Sequence, residues 1–138
     1  MYNQVKMEFN IRRLEESDYK TLVKWWDWWP GWQAPPKTFL PETGLIVEKN
    51  NIGVVAGYIY MTNSKTAIFD WVISNPEYRE SDRKEAITLL IQAVERVLRD
   101  QGIKHIFSFV RHKNLLKTHE NLGWEIDKIP SYELIKNL

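Results

Sequence analysis

Thr66-Ala67-Ile68-Phe69-Asp70-Trp71-Val72-Ile73-Ser74-Asn75-Pro76-Glu77-Tyr78-Arg79-Glu80-Ser81-Asp82 is the stretch on which the fold turns. Thr66–Ser74 is rich in β-branched and aromatic side chains, the composition of a strand. Asn75-Pro76 ends it, because proline has no N–H to donate and biases the preceding residue away from helix. Asp82 with Glu85 three residues on resembles a capping box. Ala86, Leu90, Ala93 and Val97, with their neighbours Ile87, Ile91, Val94 and Leu98, then form the broad apolar stripe of an amphipathic helix. Gly102 stops that helix, and Ile103–Arg111 reads as an apolar strand.

Working outward, Gly44–Glu48 and Val54–Thr62 read as strands joined by the Asn-rich turn Lys49–Gly53, and Asn63–Lys65 is a second turn. Met7–Leu14 alternates apolar and polar residues, the period of a half-buried strand. Ser17 reads as the N-cap of a helix whose docking stripe is Tyr19, Leu22, Val23 and Trp26. Pro30, Gly31, Pro35, Pro36 and Pro41 make the following residues irregular. Downstream, Asn114–Asn121 predicts a short helix stopped by Gly123, and Trp124–Ile129 and Tyr132–Ile135 predict two final strands. Strands joined by short turns must be antiparallel. The expectation is an α/β fold, a mixed and mostly antiparallel sheet with helices on both faces.

The 138 residues fit one domain, 1–138, with enough chain to bury a core. The absence of cysteine excludes disulfides, thiolate metal sites and thiol nucleophiles. Charges run through the first twenty residues, so no secretory segment is expected there, and no apolar run approaches the length of a membrane span. A cytoplasmic protein is the expectation. With 19 basic and 18 acidic side chains the net charge is +1, which offers no electrostatic reason for nucleic-acid binding. His105, His112 and His119 recur every seven residues but fall on a strand, a loop and a helix, so no metal site is expected.

Two segments carry a family resemblance. Trp71-Val72-Ile73-Ser74-Asn75-Pro76-Glu77-Tyr78-Arg79 and the helix after it resemble the strand, Pro-x-Tyr-Arg turn and CoA-binding helix of the GNAT N-acetyltransferases. Asn114-Leu115-Leu116-Lys117-Thr118-His119-Glu120-Asn121-Leu122-Gly123-Trp124 resembles the helix that the family ends with Tyr-Glu-x-x-Gly-Phe. The element order is similar over nearly the whole chain, and the Trp-rich segment before Pro35-Pro36 resembles uncharacterised phage-encoded members, which would place the protein in the host cytoplasm. The family's loop Arg/Gln-x-x-Gly-x-Gly/Ala is here Arg79-Glu80-Ser81-Asp82-Arg83-Lys84, without either glycine. Those glycines let backbone N–H groups approach a pyrophosphate at a helix N-terminus. The second departure is His119, where the family carries tyrosine.

The resemblance implies acetyl transfer from acetyl-CoA to a primary amine on a small molecule, a protein or a modified base. It places Asp70 near the family's base, His119 where the leaving thiolate is protonated, and Ile73 and Ser74 where backbone amides hold the pantetheine arm. Arg79, Arg83 and Lys84 would pair with the pyrophosphate, beside Asp82 at the helix start. Burial would raise Asp70 into a base's range; a solvent-facing Asp70 paired with a lysine is the other reading, and the alternation Ile68, Asp70, Val72, Ser74 leaves its face open. His119 is equally read as a histidine at the rim of a core. Trp25, Trp28, Trp29 and Trp32 fall at i, i+3, i+4, i+7, and such an aromatic wall suits an amine acceptor; the other reading is the interface of a homodimer or plain core. The alternative function is a catalytically silent GNAT-fold binding module that uses this surface; a stacking single-strand nucleic-acid binder lacks a clustered basic groove.

Overall fold

The computed structural model describes residues 8–138. Five strands, β1 (Asn10–Arg13), β2 (Thr43–Lys49), β3 (Ile52–Tyr60), β4 (Thr66–Ser74) and β5 (His105–Ser108), form one sheet in the order β1-β2-β3-β4-β5. The first three pairings are antiparallel and β4–β5 is parallel. A parallel pair needs a crossover, and α2 (Arg83–Asp100) supplies it. α1 (Tyr19–Trp28) precedes β2 and α3 (Lys113–Asn121) follows β5. No helix among the described residues is long and apolar enough to cross a membrane.

Alternation along the strands sorts side chains into two cores. Leu45, Val47, Ile59, Ala67 and Phe69 pack beneath Ala86, Leu90, Ile91, Val94 and Leu98 of α2, with Leu115 and Leu122 at the edge of that core. Ile46, Ala56, Tyr58 and Ile73 face the other way, onto Leu22, Trp25 and Trp26 of α1. The helices therefore cover both faces, as the sequence predicts. A β-bulge interrupts the alternation: Asp70 stands opposite Tyr58 and Ile73 opposite Ala56, so Trp71 and Val72 together oppose Gly57. A Cβ on Gly57 would lie 2.5 Å from the Phe69 ring, so only glycine leaves room for this crowding.

Several sequence expectations need correction. Trp124–Ile129 and Tyr132–Ile135 form no strand: the sheet ends at β5, the segment pairs with no strand, and β-forming side chains without a partner strand do not hold a strand alone. The strand expected over Met7–Leu14 is shorter, Asn10–Arg13, and Met7 lies outside the described residues. Ile103–Arg111 keeps strand structure only at His105–Ser108. Ser17 is not the N-cap. It sits within the 3-10 turn Glu16–Asp18, and Asp18 accepts the Glu15 N–H at 2.7 Å while paired with Arg12 at 2.9 Å. Asp82 does occupy the N-cap of α2, but its carboxylate makes no cap bond. Tyr78 Oη donates to Asp82 Oδ1 at 2.6 Å and Lys49 Nζ bonds Oδ2, which draws the carboxylate off the helix end.

Candidate active site

β4 and β5 part company midway. Pairing runs from Thr66↔His105 to Phe69↔Ser108 and stops, while β4 continues to Ser74. Among the described residues the backbone of Asp70–Ser74 has no neighbouring strand on that side, which leaves amide groups for another partner. Asn75 N–H bonds Val54 O at 2.9 Å, so by antiparallel alternation the Ser74 groups turn away from β3, toward this fork. The bulge falls at Trp71-Val72, just before Ile73 and Ser74, the two residues that the resemblance assigns to the pantetheine arm. Ile73 is paired with Ala56 and buried, and the Ser74 carbonyl accepts the Trp29 indole N–H at 3.1 Å.

The bulge also settles the face of Asp70. Trp71 packs edge-on against Trp26 (centroids 6.4 Å, 89°) and Asp70 opposes Tyr58, so both consecutive side chains lie on the α1 side. Burial raises the Asp70 pKa above the ordinary carboxylate value; the Trp71 N–H, donated to Oδ1 at 2.7 Å, opposes that rise. Two further charges act on it, Glu133 raising and Arg111 lowering, and these pair with each other at 2.8 Å.

His119 lies elsewhere. It is 2 % exposed, packed against Trp124 (4.7 Å, edge-on) and Phe69 (6.4 Å), on the opposite face from Asp70. Its Nδ1 lies 2.8 Å from Leu115 O, which fixes the proton on Nδ1, and Nε2 is buried without a partner among the described residues. Burial lowers its pKa, so at neutral pH Nε2 is bare. The structure thus does not bring the two residues together: Asp70 and His119 stand on either side of the sheet.

The tryptophans divide. The buried stripe of α1 is Leu22, Trp25 and Trp26, one position set further round than the sequence reading chose, with the half-buried C-cap Trp29 packed against the same core; Tyr19 and Val23 are half-buried as well. Trp25 is a correction: it is 5 % exposed, and a Cβ on Gly53 would touch its ring at 2.9 Å. The side-chain space left by Gly53 is what admits an indole there. Trp28 and Trp32 project outward, 51 % and 37 % exposed. Arg79, just past β4, lies 5.2 Å over the Trp28 ring, and Arg111, just past β5, lies 5.5 Å over Trp32. The segment from Trp28 to Trp32 therefore spans the mouth of the fork on the α1 side.

At the end of β4 stands the N-terminus of α2. Arg83 N–H bonds Glu80 O and Ala86 N–H bonds Asp82 O, which leaves the Lys84 and Glu85 N–H groups without a backbone acceptor among the described residues. Arg79 Nε is tied to Pro76 O at 2.7 Å, Arg83 is half-buried and Lys84 exposed. Lys49, which sequence reasoning missed, holds Asp82 well below the usual carboxylate range by its hydrogen bond, Tyr78 adding a second. Its distance of 33 positions from Asp82 leaves no local signal. Lys49, Asn50, Tyr78 and Arg79 also line a cavity of about 510 Å³ beside this loop.

A mostly antiparallel five-stranded sheet that forks at its parallel pair, with helices on both faces and a helix N-terminus at the fork, is the GNAT acetyltransferase fold. The ribosomal-protein-S18-alanine N-acetyltransferase from Escherichia coli shares it at TM-score 0.69 and 17 % identity, over 84 % of this chain and 77 % of that one. The aminoglycoside N-acetyltransferase AAC(6')-Iy, solved in complex with CoA, superposes at TM-score 0.62 and 16 % identity, over 96 % and 99 %. An aminoglycoside acetyltransferase from an uncultured soil metagenomic sample gives 0.65 and 15 %, over 93 % and 97 %. No family model matches the chain, and no curated protein matches its sequence.

Proposed function

We propose that the protein transfers an acetyl group from acetyl-CoA to a primary amine, with Asp70 as the base. The observation that carries this is the fork: β4 backbone from Asp70 to Ser74 that has left β5 on one side while still paired with β3 on the other, a carboxylate raised by burial, and a helix N-terminus at its end. Fold neighbours that are acetyltransferases, one of them in complex with CoA, support the same reading.

The residues present suit a CoA ligand. Asp82, which in sequence stands as a repulsive charge, is neutralised by Lys49, and the free Lys84 and Glu85 N–H groups with Arg79, Arg83 and Lys84 form an anion-binding end. The thioester, once bound, supplies the activated acyl carbon. Asp70 takes one proton of the incoming ammonium, the amine nitrogen bonds the acyl carbon, the carbon–sulfur bond breaks to leave the thiolate, and the nitrogen gives up its second proton to solvent as the neutral amide forms. His119 has no part in this path in our reading: its bare Nε2 accepts rather than donates, so solvent protonates the thiolate. Trp28, Trp29 and Trp32, over the mouth, form the wall on which the acceptor rests.

The test is thiol release from acetyl-CoA in the presence of kanamycin, spermidine or a peptide with an N-terminal alanine. Amine-dependent release is expected with at least one. Asp70→Asn should lower that rate by about 100-fold or more with little change in acetyl-CoA affinity, the size of a general-base contribution. Undiminished turnover in Asp70→Asn would remove the assignment. The Trp28/Trp32 surface favours the second reading, a silent binding module, if acetyl-CoA binds nowhere.

A further inference from the structure

Trp71 is the one non-glycine residue outside a turn, among the described residues, with a positive φ, 59°; Asn50 and Asn51 hold the β2–β3 turn. A bulky side chain there is an outlier that the surroundings must enforce. They do so through the indole. Trp71 Nε1 donates to Tyr60 Oη at 2.7 Å, and Tyr60 Oη donates to Phe39 O at 2.6 Å. Trp26 meets the ring edge-on and Phe39 lies tilted at 6.1 Å. The left-handed turn sends the Trp71 N–H back to its neighbour, Asp70 Oδ1, at 2.7 Å.

We propose that Trp71 is the positioning residue for the Asp70 carboxylate: its indole is anchored to Tyr60 so that its strained backbone holds an N–H on Oδ1, leaving Oδ2 for the substrate proton. This rests on the reading of Asp70 as the base, and it assigns the bulge a purpose in that reading. Of the groups around Asp70, Tyr58 and Tyr60 come from β3, Arg111 from beyond β5 and Glu133 from the C-terminal segment, and α1 contributes the apolar Trp26 against Trp71. None of these donates a hydrogen bond to Asp70; the Trp71 amide does. Glycine at position 71 adopts the same φ without strain. Valine, β-branched, does not, and its backbone should relax toward the extended form and turn the N–H away.

The experiment is a pH titration by NMR of protein labelled with carbon-13 at the aspartate carboxyls and nitrogen-15 in the backbone, with Asp70→Asn identifying the Asp70 signal. In the parent, the Trp71 amide proton should follow the Asp70 midpoint. Trp71→Gly should keep that midpoint within about 0.3 pH unit, whereas Trp71→Val should raise it by about one, the loss of one charge-assisted hydrogen bond. A Trp71 amide that ignores the Asp70 titration, or glycine and valine variants that shift the midpoint alike, overturns the proposal. If the valine variant does not fold, the parent amide and the glycine variant still decide. Full turnover in Asp70→Asn with the titration pattern intact would instead remove the base and leave the carboxylate clamp standing.

Discussion

Trp29 and Ser74 join the two sides of the candidate site: the indole at the end of α1 donates to the carbonyl at the end of β4, 3.1 Å away. One hydrogen bond thus fixes the tryptophan segment over the fork. Trp29→Phe keeps the ring and loses the donor, leaving Ser74 O unpaired. Urea melts should show a loss of about 1 kcal/mol, the net worth of such a bond; no change would mean that packing alone holds the segment.

Burial separates the other α1 tryptophans. Trp28→Ala should stay within about 1 kcal/mol of parent stability, as a surface substitution does, because half of Trp28 faces solvent. Trp25→Ala and Trp26→Ala should each cost ~3–5 kcal/mol as core truncations, since both are buried beside β2 and β3. The same melts check all three, and a Trp28→Ala variant as unstable as Trp26→Ala would place Trp28 in the core.

Lys49 neutralises Asp82 at the start of α2. Its loss in Lys49→Met leaves a carboxylate beside the proposed pyrophosphate position, so acetyl-CoA affinity should fall about tenfold, on the scale of one charge-assisted contact. The Asp82 pKa is depressed in the fold, so its contribution to stability is present above the unfolded carboxylate value and is lost as pH falls through the folded one. Acid melts of Lys49→Met should therefore lose stability less steeply below pH ~4 than the parent. Unchanged affinity and an unchanged acid limb would sever Lys49 from the site.

His119 is buried neutral, with its pKa depressed. The unfolded chain binds the extra proton first, so stability should fall as pH drops from ~7 through the unfolded histidine value near ~6.5. His119→Phe removes both this dependence and the unpaired Nε2, and should match or exceed parent stability at pH ~5.5. Amine-dependent turnover should remain within about fivefold of parent, since a neutral Nε2 donates no proton. A loss of two orders of magnitude would restore His119 as the acid.

The residues that repeat with a clear period were legible in the sequence. Thr66–Ser74 is a strand with the bounds expected, and the α2 stripe from Ala86 to Leu98 is buried as its spacing predicts. The α1 stripe was half right, because Tyr19-Leu22-Val23-Trp26 and Leu22-Trp25-Trp26-Trp29 share the same helical spacing. Gly53, on a strand far along the chain, chose between them by leaving room for Trp25. The bulge at Trp71 and the Lys49–Asp82 pair depend on contacts across the sheet, which no local pattern encodes. The C-terminal segment failed for the opposite reason: its pattern is strand-like, yet it pairs with no strand of the sheet.

The central claim is that the fork between β4 and β5 holds an acyl-CoA, and calorimetric titration of the intact protein with acetyl-CoA tests it most directly. A single site per chain is expected, and the triple variant Arg79→Ala, Arg83→Ala, Lys84→Ala should abolish the heat at the same concentrations. No heat from the parent protein at millimolar acetyl-CoA would contradict the account and leave the exposed Trp28 and Trp32 as the surface of a binding module.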